Sequence, residues 1–278
     1  MPRTLEPRVP KSGETPRRPR LSLDETRRRV LDAAAERVKG GGLAPGLEHV
    51  RLEDAVRDAD VSRTAAYRCW PRRDDFVADL LADLAAVAVP VGGERGPQAT
   101  AALRRVVTAR PGRLRTVGGR REVLLEAVTA AAVDDLEAET AAGWRMYLSL
   151  ALALPALPAG DGRDRVVAAV AEAEDALLTR LERGYRAVLE LLGFAPRAGY
   201  GALAGVANAL FRGLVVGGQA GSDAGRAVAA AMAVLVDGGT EPVDDADWNE
   251  ERIAVVVDAV AAEDVFAVGS SETDRRRA

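Results

Sequence analysis

Between Ser62 and Arg73 the sequence SRTAAYRCWPRR gathers hydroxyls and guanidiniums in one short run. Ser62, Thr64 and Tyr67 each offer an O–H, while Arg63, Arg68 and Arg73 offer forked sets of N–H donors. Arg51 supplies a further guanidinium a short way upstream. Donors of this kind suit an acceptor-rich partner. A guanidinium fork pairs with the O6 and N7 edge of guanine, and hydroxyls and arginines hold phosphate oxygens.

Few residues elsewhere could do covalent chemistry. His49 is the sole histidine and Cys69 the sole cysteine, so His- or Cys-based triads, thiolate zinc sites and disulfides have no material. His49 reads as a surface residue of a loop, and Cys69, beside Trp70, as a small buried hydrophobe. No phosphate-binding GxxxxGK[ST] loop or Rossmann glycine fingerprint is present, and the glycines at 217–221 read as a helix C-cap. The carboxylate pairs Asp134-Asp135 and Asp244-Asp245 lack metal-ligand company and read as solvated caps. These features point away from an enzyme and imply no cofactor or metal.

The donors need elements to hold them. Ser62 can cap a short helix from Arg63 to Cys69, which Pro71 ends. Asp60-Val61 makes the tight turn before it, and a helix from Leu52 to Ala59 precedes that, with Leu52, Ala55, Val56 and Ala59 facing inward. Upstream, Ser22-Leu23-Asp24-Glu25 is a capping-box signature. It opens a helix with Val30, Leu31, Ala34, Ala35 and Val38 on one stripe, stopping at Gly40-Gly41-Gly42. Downstream, Asp74 to Val89 carries Phe76, Leu80, Leu81 and Leu84 at core spacing, and Trp70 is placed to lock the Ser62 helix against it. The rest reads as helices near 97–109, 120–133, 136–154, 163–192, 198–217, 223–237 and 247–267, without sustained strand alternation.

The chain as a whole supports a packed helical core. Of its 278 residues 48% are hydrophobic and only 4% aromatic, so the interior is built of Ala, Val and Leu. The net charge of −4 is unevenly spread. Residues 1–73 hold 17 Lys/Arg against 11 Asp/Glu, a net of +6, and residues 74–278 a net of −10. A basic end on an acidic body suits a protein that meets phosphates with one end only. Residues 1–21 read as a disordered basic arm that could follow a minor groove, and 269–278 as a frayed tail. The N-terminus lacks a signal peptide's apolar stretch, and no apolar run is long enough to span a membrane, which implies a cytoplasmic protein.

The stretches TRRRVLDAAAERV and RLEDAVRDADVSRTAAYRCWPRRDDFVADLL, in this order of four helices, resemble the DNA-binding domain of the tetracycline-repressor (TetR) family over about residues 24–86. Ala55-Val56 matches that family's IA-like pair and Asp60-Val61-Ser62 its GVS-like turn. Tyr67, Trp70 and Arg73 match its tyrosine, aromatic and basic places. Asp60 replaces the turn glycine, Thr64-Ala65 stand where Gly and then Thr are usual, and Arg73 replaces a lysine. The operator sequence therefore cannot be borrowed from relatives. The resemblance implies an all-α protein: a helix-turn-helix DNA-binding domain over 22–73, and a larger helical regulatory and dimerisation domain over 74–268, with 74–90 as connecting helix. Arg63 and Arg68 are then candidates for base edges or phosphates. Ser62, Thr64 and Tyr67 would be phosphate contacts, and Arg51 and Arg73 backbone clamps.

The resemblance also implies a homodimer on double-stranded operator DNA, released by a small-molecule effector. Leu203, Val206, Leu210, Phe211 and Leu214, with Val228, Met232 and Leu235, are the candidate dimer-forming residues. Trp144, Met146, Tyr147 and Tyr185 are the candidate pocket residues. The segment 247–268, with Trp248, Ile253, Val256, Val257, Val260 and Phe266, is expected to cover the core or the dimer flank. The rival expectation is a TetR-like sensor or protein-interaction module whose DNA reading has degenerated.

Overall fold

A computed structural model describes residues 21–41, 49–88, 95–137, 146, 149–217, 224–243 and 247–262. The described chain is all-helical apart from one small two-stranded sheet. Four helices come first: α1 (Leu23–Gly41), α2 (Leu52–Asp58), α3 (Arg63–Cys69) and α4 (Arg73–Ala88). The Ser22 hydroxyl accepts from the Glu25 backbone N–H at 3.1 Å, as the capping signature requires. All five residues of the α1 stripe, Val30 to Val38, are buried. The basic arm before Leu21, the loop at 42–48 and the tail lie outside the described residues.

The head formed by these helices is not closed on itself. α4 is buried on more than one side, with Phe76, Val77, Ala78, Leu80, Leu81, Leu84 and Ala85 all 1% exposed or less. One side meets α1 and α3. The other lies along α7 (Asp161–Leu191), whose Val166, Val170, Ala173 and Leu177 belong to the same hydrophobic cluster. A Cβ added at Gly162 would sit 3.1 Å from the Ala78 Cβ, so small residues let the two backbones approach. The hydrophobic core thus crosses the expected boundary at residues 73 and 74. Here α4 is core rather than a mere connector.

A second core lies at the other end of α7. It joins α5 (Arg95–Ala109), the 3₁₀ turn Pro111–Arg115, α6 (Val117–Glu137), α8 (Tyr200–Gly217), α9 (Ala224–Gly239) and α10 (Glu250–Ala261). Gly119 is obligatory here, because a Cβ would fall 2.0 Å from the carbonyl oxygen of Arg113 in the 3₁₀ turn. With 31 residues α7 is about 46 Å long, enough to serve both cores.

Two expectations need correction. Helix α6 runs uninterrupted through Asp134-Asp135 to Glu137, so those carboxylates lie within a helix rather than in a break. Residues 149–153 are helical, within the segment expected near 136–154, and a 3₁₀ turn follows at Leu154–Ala156. Two segments expected to lie between or beyond helices form strands: β1 (Phe194–Pro196) pairs antiparallel with β2 (Thr240–Pro242). Three-residue strands are too short to show alternation, and Gly193 at φ +74 turns the chain out of α7 into β1. The C-terminal helix covers the core: Ile253, Val256 and Val260 are buried in the second cluster, while Phe266 lies outside the described residues.

Candidate nucleic-acid interface

The turn between α2 and α3 is closed by its backbone. Asp60 takes a left-handed conformation (φ +51), its N–H donates to Arg57 O at 3.2 Å, and the Val61 N–H reaches back to Val56 O at 3.2 Å. These bonds satisfy carbonyls that the end of α2 would otherwise leave open. The place where a glycine is usual is thus filled by a residue type that tolerates the strain. Ser62 then caps α3, accepting from the Ala65 N–H at 3.2 Å.

Helix α3 has seven residues, roughly 10 Å, too few to be stable alone. Its inner side is fixed by Ala66 and by Trp70 at its C-cap, 0% and 1% exposed. Its outer side presents Ser62, Arg63, Thr64, Tyr67 and Arg68, all exposed, and Arg51 and Arg73 are exposed at the starts of α2 and α4. Ala65, half-buried, points no hydroxyl anywhere.

Charge pairing separates this surface from the rest of the head. Arg27, Arg29, Arg37, Lys39 and Arg57 each pair with a carboxylate, and among the described residues Arg28 is the one exposed cation of α1 that does not. Among the described residues, Arg51, Arg63, Arg68 and Arg72 take part in no ion pair. Arg73 lies 3.9 Å from Asp74. Arg72 belongs with this set by exposure.

Tyr67 is 45% exposed, but its hydroxyl is engaged: it donates to Glu53 Oε1 at 2.9 Å, joining α3 to the start of α2. That bond pushes the phenol's ionisation above its ordinary value. The Glu53 carboxyl is held below its usual range, first by its own backbone N–H and then by Tyr67. Glu53 escaped the sequence reading because a contact fourteen positions apart leaves no short-range signal.

The inner side of α3 is tied by a buried carboxylate. Trp70 Nε1 donates to Asp79 Oδ2 at 2.6 Å, and the indole meets Phe76 edge-on at 5.4 Å between centroids. Arg27 of α1 closes on the same carboxylate, and Arg165 of α7 reaches its other oxygen at 3.3 Å. With its side chain only 9% exposed, Asp79 joins α1, the exit of α3, α4 and α7. A charged residue inside the run Phe76 to Leu81 was a legible hint, because a carboxylate among core positions requires partners. Cys69 packs beside this joint, and burial pushes its thiol up, against a role as a reactive thiolate.

No protein-family model matches the sequence, and a search of curated proteins gave no match. The remaining expectations therefore rest on geometry. Leu203, Val228 and Met232, expected at a dimer interface, are at most 5% exposed within the chain's own core, which corrects that assignment. Leu210, Phe211, Leu214 and Leu235 are half-buried against it, leaving Val206 at 54% and Val234 at 74% exposed on α8 and α9. Of the pocket candidates, Trp144 and Tyr147 lie outside the described residues. Met146 packs against the head cluster and Tyr185 against the second. His49 is exposed. No helix among the described residues is long and apolar enough to cross a membrane, and none of their His, Cys, Asp and Glu side chains group to hold a metal ion.

Proposed function

We infer that this chain is a sequence-specific DNA-binding transcriptional regulator of the tetracycline-repressor type. In this reading α2 and α3 form a helix-turn-helix, α3 enters the major groove, and two copies bind operator half-sites about one helical turn apart. The protein acts in the cytoplasm as a repressor that a small-molecule effector releases. The observation that carries the reading is the sorting of arginines on the head. On α1 and within α2 all but Arg28 pair with carboxylates, while Arg51, Arg63, Arg68 and Arg72 hold no such pair around a helix seated from behind. Unpaired guanidiniums on and beside an exposed helix meet phosphates and base edges without an existing ion pair having to be broken.

Support for the dimer comes from the valines left outside on α8 and α9. The rival reading, a sensor module with degenerate DNA recognition, has one observation in its favour: Glu53 already holds the Tyr67 hydroxyl. Gel retardation with the DNA upstream of the protein's own gene separates the two. The expected result is salt-sensitive retardation by the natural protein and none by the double variant Tyr67→Ala, Arg73→Ala, with helicity unchanged by circular dichroism. Equal retardation by both proteins would remove α3 from the interface.

A further inference from the structure

The Tyr67–Glu53 hydrogen bond has a stoichiometric consequence. A phenol carries one proton to donate, and phosphate oxygens only accept. With Tyr67 Oη donating to Glu53 Oε1 at 2.9 Å, that proton is unavailable to any partner on the exposed side of α3. The carboxylate is a fixed negative charge beside Arg51, on the surface where an anionic duplex would dock.

We propose that Glu53 is an affinity-setting residue of the DNA interface, holding Tyr67 in a latch that a backbone phosphate must displace. This rests on the DNA-binding reading above and adds a residue and a step to it. Docking breaks the Oη–H···Oε1 bond and forms Oη–H···O–P in its place. One charge-assisted bond is exchanged for another, so part of the affinity Tyr67 could supply is withheld while Glu53 is a carboxylate. Replacing Glu53 by Gln keeps the shape, weakens the bond to be broken and removes a charge facing the phosphates. Binding should then tighten through Tyr67. The latch restrains sequence-independent binding above all, because phosphate contacts carry no sequence information.

A labelled duplex of mixed sequence is a sufficient probe, read by fluorescence anisotropy between about 50 and 200 mM salt. Four full-length proteins are compared: natural, Glu53→Gln, Tyr67→Phe and the double variant, each with its thermal melt as a folding control. Glu53→Gln is expected to tighten binding about three- to tenfold, and because a neutral phenol displaces no counterion the part gained through Tyr67 should persist at the high-salt end. In the Tyr67→Phe background the same substitution should gain clearly less, only the part that comes from removing the charge, since the two residues otherwise act as one unit. A gain of equal size in both backgrounds, or none in either, overturns the latch while leaving DNA binding intact. Failure of all four proteins to bind even at low salt overturns the DNA-binding reading itself, and the latch with it. A DNA-free measurement checks the contact: Tyr67 should ionise above the ordinary tyrosine range, and Glu53→Gln should bring it back. An unmoved titration also overturns the proposal.

Discussion

Trp70 and Trp248 are both at least nine-tenths buried, one in each core, and they are held by different physics. Trp70 is tethered: its N–H donates to Asp79 at 2.6 Å, and its ring meets Phe76 edge-on. Trp248 is stacked: the guanidinium carbons of Arg120 and Arg252 lie 4.1 and 4.5 Å from its centroid, and its N–H has no hydrogen-bond partner among the described residues. A hydrogen bond fixes direction, whereas a cation–π stack tolerates sliding and rotation. The tether sits behind the helix proposed to read DNA, where orientation is at stake. The stack sits under α10, whose task is to cover the core.

This contrast can be broken or sharpened by substitution, the largest effect first. Trp70→Ala opens a large cavity and removes one of the three donors that hold Asp79, so a loss of about 4 kcal/mol is expected by chemical denaturation, with duplex binding lost. The sharper comparison is Trp70→Phe against Trp248→Phe. Both create a similar small void, but only the first removes a hydrogen bond, so Trp70→Phe should be more destabilising by about 1–2 kcal/mol. Equal losses would show that the tether to Asp79 adds nothing beyond packing. The smallest effect is at the turn: Asp60→Gly relieves a left-handed aspartate and should raise stability by about 1 kcal/mol or less in the same measurement.

Much of the head was legible because each local signal agreed with the next. The Ser22 and Ser62 caps, the buried stripe of α1, the bounds of α3 and the burial of Trp70 all follow from short-range chemistry. Features formed by distant partners were not legible. The core shared by α4 and α7 pairs residues such as Ala78 and Gly162, which carry no marker of one another. In the body, an apolar helix face looks alike whether it meets its own chain or another. Leu203, Val228 and Met232 were therefore assigned to a partner when the chain's own core buries them. Within the candidate site, the donors were readable from residue type. Glu53 was not, because a surface carboxylate in the first turn of a helix ordinarily serves that helix.

The long helix α7 lends leucines, valines and alanines to both cores, from Val166 at one end to Leu189 at the other. Neither half can melt to completion without stripping the cover from the other, so the two are coupled in unfolding even though their side chains form separate clusters. A fragment ending after α4 would leave the α7-facing side of that helix bare to water, which makes it prone to self-association. For this chain the smallest cooperative unit is larger than the segment that would touch DNA.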